Sequence, residues 1–412
     1  MLRTPLVCII FAASAVAAPT GYTASVEVSG PTRLDWIFTT ATQSPAKPPA
    51  KFLPDDYDSK KQAYELFVPT RKDTKKPAPA ILFISAGDDP QGWKTFEKTC
   101  KESGLVFIGV RNAGNNVPGP KRCRIVLDCL DDVRRQVPLD PDRTYISGFS
   151  GGARMACSIG FALPELFGGI LPLCASGELR PEPWLRHRLI DRLSMALVTG
   201  TTDFNRGEVE RWRGPFWKEI GIRTRVWTPA IGHTLPSPAI ASEAIKWLEE
   251  GREKRDALAK KHPATRATSD GALSREDAAK ALLSEGKERL KTKEGLHSGL
   301  MLMKGVLERW PDLATAAEAK KVLQEQEGKP DRSWEKDDVA EQLKYLTAEA
   351  RSLSDYAIKG IPEGSQYAKQ RPNLAKRAIE LWMVVIENTP DSPAAKEGKE
   401  KLPALEKLAG KG

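Results

Sequence analysis

The chain has 412 residues, which is long enough for a full-sized core and a second domain. It carries a net charge of +9, from 63 Lys and Arg residues against 54 Asp and Glu residues. The basic residues alternate with acidic ones along helical stretches such as 252–261 and 396–407. This pattern is typical of solvated helix faces, and it argues against a nucleic-acid-binding protein.

The N-terminus has the pattern of a signal peptide. Arg3 supplies a positive charge, residues 6–16 form an apolar run, and Ala15-Val16-Ala17 fits a cleavage site. The apolar run is too short for a comfortable membrane span. We therefore predict a signal peptide over residues 1–17, export to the periplasm or the extracellular space, and a soluble mature protein with no stable membrane span.

Cysteine usage gives no sign of a metal site. Loss of Cys8 with the signal peptide would leave five cysteines, and an odd number leaves at least one of them free or bonded to another molecule. Cys157 and Cys174 lie in apolar runs and are predicted to be core residues. Neither a C-x-x-C motif nor a Cys/His zinc spacing occurs, so the cysteines predict no metal site.

Strand-like and helix-like segments alternate through most of the chain up to residue 257. Two β-like segments, 22–28 and 34–38, come first, and a loop follows at 45–54. Further strands are predicted at 63–68, 80–84, 105–110, 144–147, 168–173, 194–200 and 223–227, and helices at 90–103, 121–136, 206–220 and 237–257. The unbroken apolar run at 80–84 is typical of a strand buried on both faces. The pattern predicts an α/β fold with a mostly parallel sheet.

The composition changes after residue 257. Residues 258–274 are predicted to be a linker, and residues 275–412 an all-α region of helical hairpins. Within it, residues 302–323 align with residues 381–402 at a constant offset of 79, and each copy reads as a helix, a Pro-Asp break and a second helix. This arrangement resembles half of a tetratricopeptide unit. The alternative is two unrelated hairpins that share a stop signal.

Residues 148–152 read Gly-Phe-Ser-Gly-Gly, a G-x-S-x-G pattern. The pattern lies between a predicted strand and a predicted helix, which is the context of a nucleophile elbow. In that context Ser150 stands exposed at the start of a helix, where backbone N–H groups can bind an oxyanion. A glycine-rich turn with an incidental serine is the alternative interpretation.

A base and an acid can be assigned from their positions after strands. A serine nucleophile needs a histidine, and the histidine needs a carboxylate that orients it. His233 follows the strand at 223–227, and Asp203 follows the strand at 194–200. His187 lies among arginines, and the other two histidines lie in the helical region. The alternatives are a loop histidine without a function and an aspartate that caps the helix at 206–220.

With these residues in place, residues 60–250 resemble the α/β-hydrolase superfamily. Residues 144–156 are similar to the elbow of secreted polyhydroxybutyrate-depolymerase and feruloyl-esterase-like enzymes, and residues 197–203 and Gly232-His233 resemble the acid and histidine positions of that group. The resemblance implies an α/β-hydrolase domain over residues 18–257 that needs no cofactor. The implied triad is Ser150, Asp203 and His233, in the chain order of this fold.

The predicted oxyanion hole departs from that group. Its members commonly carry His-Gly after the third strand, whereas residues 85–89 here read Ser-Ala-Gly-Asp-Asp. The backbone N–H of Gly151 and that of Ala86 or Gly87 are the predicted donors. Asp88 and Asp89 would place unfavourable negative charge near the developing oxyanion unless their side chains point away from it.

Trp93 and Trp217 are candidate substrate-binding residues, and Trp184 and Trp212 could line the same cleft. Packing in the core or on the surface is the alternative for all four.

The resulting hypothesis is a secreted serine esterase that acts on a small-molecule or polymeric ester. A first alternative is a weak or inactive hydrolase whose helical C-terminal region binds a protein or envelope partner. A second is a serine peptidase of the same fold.

Overall fold

The computed structural model describes residues 20–271, 274–330 and 332–410. The predicted signal peptide, 1–17, lies outside the described residues. Eight strands form one sheet: β1 Gly21–Glu27, β2 Ala63–Val68, β3 Ala78–Ile84, β4 Val106–Val110, β5 Leu139–Phe149, β6 Gly169–Leu173, β7 Ser194–Val198 and β8 Arg223–Trp227.

The sheet has the order β1-β2-β4-β3-β5-β6-β7-β8. Strand β2 runs antiparallel to both β1 and β4, and every later neighbouring pair is parallel. This order, with its antiparallel second strand, confirms the predicted α/β-hydrolase sheet. The second β-like segment was predicted wrongly, because residues Trp36–Thr39 form a short 3-10 helix whose apolar side chains enter the core.

Seven α-helices belong to the described residues of this part of the chain: α1 Trp93–Ser103, α2 Gly119–Gln136, α3 Gly151–Ala162, α4 Pro183–Arg192, α5 Gly214–Ile220, α6 Pro238–Glu250 and α7 Arg252–Lys261. Helices α2, α3 and α4 contribute to the core on one face of the sheet, and α1 and α6 to the core on the other. Strand β3 is apolar throughout because its side chains enter both cores. Leu82 and Ile84 enter the first core, and Ile81 and Phe83 enter the second.

Residues 258–274 were predicted to be a linker, but those that the structure describes pack on the hydrolase sheet and its helices. Helix α7 continues to Lys261, and the backbone N–H of Ala267 donates to the carbonyl of Glu165 at 2.8 Å. Arg266 forms an ion pair with the buried carboxylate of Asp142 at 2.7 Å. This segment is therefore held against the α/β body rather than extended away from it.

The C-terminal region is all helical. Its helices are α8 Arg275–Arg289, α9 Leu296–Arg309, α10 Ala314–Glu327, α11 Trp334–Asp355, α12 Arg371–Asn388 and α13 Pro393–Ala409. Helices α8, α9 and α10 share one apolar cluster, and α11, α12 and α13 share another. The two aligned sequence segments form the hairpins α9–α10 and α12–α13, each with its Pro-Asp pair at the turn. The likeness to a tetratricopeptide unit stays a prediction.

Hydrogen bonds and ion pairs join the helical region to the α/β body. The indole N–H of Trp184 on α4 donates to Glu308 on α9 at 2.6 Å. Arg309 at the end of α9 pairs with Asp35 and Glu165. Among the described residues, no helix is both long and apolar enough to span a membrane. The five described cysteines are all buried and free.

Candidate active site

Ser150 lies on the sharp turn between β5 and α3, with φ 54° and ψ −117°. A positive φ is costly for a residue with a side chain, and such strain is common at functional positions. Two glycines make the turn sterically feasible. A Cβ at Gly148 would lie 2.3 Å from the carbonyl oxygen of Gly152, and a Cβ at Gly152 would lie 2.0 Å from that of Ile84. The G-x-S-x-G pattern therefore forms a strand-turn-helix elbow.

The structure brings Ser150, His233 and Asp203 together although they are far apart in sequence. The Nε2 atom of His233 lies 3.0 Å from Ser150 Oγ, and its Nδ1 atom lies 2.8 Å from Asp203 Oδ1. Both distances are those of hydrogen bonds. The imidazole can thus accept the serine proton at one nitrogen while its other nitrogen donates to the carboxylate.

Asp203 is buried, and its carboxylate has further donors. Thr199 donates its hydroxyl to Oδ2 at 2.8 Å, and the backbone N–H of Asn205 donates to Oδ1 at 2.9 Å. The following π-helical segment, Gly207–Arg213, begins later and has Arg206 at its N-cap. Asp203 therefore faces His233 and does not cap this segment.

Two aromatic side chains pack against the His233 ring. Phe204 stacks on it with ring centroids 3.9 Å apart, and Phe149 lies 5.0 Å away on β5. Phe204 is 52% exposed, so its outer part forms an apolar surface beside the histidine. Sequence reasoning missed Phe204, although its position directly after Asp203 was the available signal.

The predicted oxyanion donors lie at the ends of β3 and β5. Gly151 is the first residue of α3, where backbone N–H groups have no acceptor within the helix. The Gly87 N–H donates to Ser85 Oγ at 3.2 Å. Within the part of the chain that the structure describes, no acceptor takes the Ala86 N–H. These contacts favour Ala86 over Gly87 as the second donor.

Asp88 and Asp89 have partners of their own. The Asp88 carboxylate accepts the backbone N–H of Gly114 at 3.1 Å, and Asp89 forms an ion pair with Arg111 at 3.2 Å. Because both carboxylates are directed to these partners, the departure from His-Gly at residues 85–89 is compatible with an oxyanion hole.

The structure corrects the prediction for Trp217. Its side chain is fully buried and packs edge-on against Phe161 at 5.5 Å, so it cannot line a cleft. Trp93 stacks on Tyr22 at 4.8 Å and packs against Phe67 and Phe107 on β2 and β4. These strands lie two or three positions away from β5 in the sheet. A role for Trp93 in substrate binding stays a prediction.

Cys174, Asp203 and His233 place potential ligand atoms within 4.8 Å of one another. However, Cys174 donates its thiol hydrogen to the carbonyl of Thr234, and burial raises the pKa of this thiol to about 12. A metal-binding cysteine acts as a thiolate. Since Asp203 and His233 are bonded to each other, the donor set suits proton transfer better than metal binding.

No protein-family model and no curated protein matches the chain. Among solved structures, it is similar to S-formylglutathione hydrolase (FrmB) from Staphylococcus aureus, with 15% identity, a TM-score of 0.35 and coverage of 45% of this chain and 92% of that one. It is also similar to FphF, a fluorophosphonate-binding serine hydrolase of Staphylococcus aureus, with 15% identity, a TM-score of 0.38 and coverage of 56% and 99%. Est1E from Butyrivibrio proteoclasticus follows with 14% identity, a TM-score of 0.36 and coverage of 48% and 97%. By its own strand order and strand directions, the chain has the α/β-hydrolase fold.

Proposed function

We propose that the protein is a serine hydrolase that cleaves carboxylic esters through an acyl-enzyme. The observation that carries this proposal is the unbroken hydrogen-bonded series from Asp203 through His233 to Ser150 at the elbow. An activated serine of this kind, next to free helix N–H groups, is suited to acyl transfer.

The reaction proceeds in two halves. Ser150 Oγ attacks the ester carbonyl carbon while His233 Nε2 takes the hydroxyl proton. The carbon–oxygen bond to the alcohol then breaks, and the leaving alcohol takes the proton from His233. In the second half, water attacks the acyl carbon, gives a proton to His233 and releases the acid, and Ser150 recovers its proton.

The protein stabilises the charges that arise on the way. Asp203 orients the imidazole and stabilises the imidazolium. The Gly151 and Ala86 N–H groups donate to the carbonyl oxygen as it becomes negative, and each such donor contributes roughly 3 kcal/mol in studied enzymes. The exposed face of Phe204 beside His233 favours the binding of substrates that carry an apolar or aromatic group, whether the substrate is small or polymeric.

We also propose that the protein is exported. This rests on the charged start, the apolar run and the small-residue site within residues 1–17. Sequencing the N-terminus of protein secreted from an expressing bacterial cell tests it. A mature N-terminus close to residue 18 supports export, and retention of the intact chain in the cytoplasm contradicts it.

The esterase proposal is tested with p-nitrophenyl esters from acetate to octanoate. Purified wild type, Ser150→Ala and the control Ser158→Ala are compared. Ser158 lies on the same helix, where its hydroxyl donates to the Arg154 carbonyl. We expect activity in the wild type and in the control, and its loss in Ser150→Ala. Equal activity in all three proteins would contradict the proposal.

The two alternatives predict different results. A peptidase would cleave p-nitroanilides better than esters, with the same dependence on Ser150. A protein that only binds a partner would not react with a serine-directed phosphonate. The contacts of Asp88 and Asp89 weaken this last alternative, because both carboxylates are engaged by partners of their own.

A further inference from the structure

Arg122, on α2, is a buried cation to which the mechanism above gives no role. It is 5% exposed, and burial lowers the pKa of its guanidinium from the ordinary value. All its acceptors are neutral: the carbonyl oxygens of Ser85, Ala113 and Gly151, and Asn115 Oδ1. No carboxylate among the described residues lies within salt-bridge distance of it. The charge of Asp88 favours the protonated guanidinium, but the two groups form no ion pair, and a buried charge without a directly paired counter-charge is costly.

The acceptors of Arg122 belong to the loops that form the proposed oxyanion hole. Its Nη2 atom donates to the Ser85 carbonyl at 2.7 Å. In a trans peptide the C=O and the N–H point to opposite sides, so this bond directs the Ala86 N–H away from Arg122. The backbone N–H of Asn115 holds the Ala86 carbonyl at 2.8 Å and fixes the next peptide. The peptide groups before and after Ala86 are thus both held by hydrogen bonds.

Arg122 also orients the side chain of Asn115. Its Nη1 atom lies 3.2 Å from Asn115 Oδ1 and 3.2 Å from the Gly151 carbonyl. Because the oxygen end of the carboxamide faces the guanidinium, the Nδ2 end is left to donate elsewhere. No acceptor for Nδ2 occurs in the described part of the chain.

The Asn115 carboxamide lies against Gly151. A Cβ on Gly151 would be 1.9 Å from Asn115 Oδ1 and 2.8 Å from Asn115 Nδ2. Asn115 is exposed, so this amide borders the open side of the site. The Nδ2 group of Asn115 therefore lies next to Gly151, whose backbone N–H is a predicted donor to the substrate oxygen.

We propose that Arg122 is the positioning residue of the oxyanion hole, and that the Asn115 carboxamide held by it supplies a third, side-chain donor. The inference rests on the proposed function. The positive charge of Arg122 favours the negative charge that forms on the carbonyl oxygen in the transition state, while its proton stays in place throughout.

Asn115 variants test the donor. Asn115→Ala removes the carboxamide, and Asn115→Asp keeps an acceptor for Arg122 while removing the donor. The adjacent exposed residue supplies the control Asn116→Ala. We expect Asn115→Ala to lower kcat on p-nitrophenyl esters on the order of 100-fold, as loss of one oxyanion donor does in other enzymes. Asn115→Asp should lower kcat further, because its carboxylate also repels the negative oxygen. KM should stay near that of the control.

A second readout separates this role from a structural one. Affinity for a trifluoromethyl ketone, which forms a tetrahedral oxyanion on Ser150, should fall in parallel with kcat/KM. Arg122→Gln and Arg122→Lys test the positioning role: both should lower kcat, and the lysine should retain more activity because it keeps the charge. Thermal melting establishes that each variant is folded.

The outcomes are distinguishable. If the wild type is active and both Asn115 variants match Asn116→Ala in kcat and in ketone affinity, the donor is overturned while the esterase stands. A folded Arg122→Gln with wild-type kcat overturns the positioning role. If the wild type hydrolyses neither esters nor amides and is not labelled by a phosphonate, the proposed function fails and this inference fails with it.

Discussion

Tyr367 donates its phenolic hydrogen to the side-chain oxygen of Asn205, and this bond joins the helical C-terminal region to the loop that carries Asp203. The Asn205 N–H in turn donates to Asp203 Oδ1 at 2.9 Å, and its Nδ2 donates to the Cys174 carbonyl at 2.7 Å. Tyr356 adds a second contact by stacking on Trp212 of the π-helical segment. The helical region therefore supports the loop of the proposed catalytic acid.

Tyr367→Phe removes the hydroxyl while keeping the ring. A hydrogen bond contributes about 0.5–1.5 kcal/mol net, so we expect kcat on a p-nitrophenyl ester to fall between about two- and ten-fold, with little change in KM. Tyr22→Phe, on the edge strand β1, is the control and should keep its kcat. A kcat for Tyr367→Phe equal to the control would show that the loop does not depend on this bond.

Asp203→Asn tests the orientation of His233. The carboxylate accepts from Thr199, from the Asn205 backbone and from His233, and an amide can replace only part of this set. If the new NH₂ group faced Thr199 or the Asn205 N–H, two donors would oppose each other. If it faced His233, it would favour the imidazole tautomer that cannot accept the serine proton. We expect kcat to fall about 10⁴-fold, as in a studied serine protease. The control Thr199→Val removes one donor only, and its kcat should fall far less. A fall in kcat below ten-fold for Asp203→Asn would count against the role assigned to Asp203.

Gly305→Ala tests the packing of α9 on α4. A Cβ at Gly305 would lie 2.7 Å from the ring of Trp184, which is fully buried and bonded to Glu308. Overpacking of this kind costs typically about 1–3 kcal/mol of unfolding free energy. We expect a lower urea midpoint than in wild type. Gly119→Ala serves as the control, because a Cβ there meets no atom within 4 Å. Equal midpoints for the two variants would mean that the space between Gly305 and Trp184 accommodates a methyl group.

His187 should make the protein sensitive to acid. Burial lowers the pKa of its imidazole in the folded state, with a smaller lowering effect from Arg289, while Asp191 and Glu341 act in the opposite direction. The unfolded chain takes up its proton near pH 6.5, before the folded protein does. The stabilising contribution is therefore complete above about pH 6.5 and is lost as the pH falls below that value.

Melting temperatures between pH 7.5 and pH 5 measure this effect. The wild type should lose stability as the pH falls, and His187→Gln should lose less over the same range. Parallel curves for the two proteins would exclude His187 as a source of acid sensitivity.

The fold and the grouping of the triad were accessible from the sequence because both follow from local patterns. Ser150, Asp203 and His233 each come after a predicted strand, and the carboxyl ends of parallel strands meet at one edge of a sheet. Strands β5, β7 and β8 run parallel in the structure and bring the three residues together there.

Other parts of the site depend on contacts that no local pattern reports. The contacts of Arg122 join the loop after β3, the loop after β4 and the start of α3, and they depend on the strand order. Trp217 was misjudged because a tryptophan on a helix has the same local sequence whether it faces a cleft or the core. The segment at 34–38 has the composition of a strand, yet it pairs with no strand among the described residues, and its second half begins the 3-10 helix Trp36–Thr39.

The bond from Tyr367 to Asn205 also has a consequence for the order of events on the ribosome. All three triad residues have been synthesised by residue 233, but Tyr367 is added about 130 residues later. At a synthesis rate of about 5–20 residues per second, this interval lasts roughly 7–27 s. During that time the α/β body can begin to fold with its acid loop unsupported, so full catalytic competence should arrive only after Tyr367 has been added and has docked on Asn205.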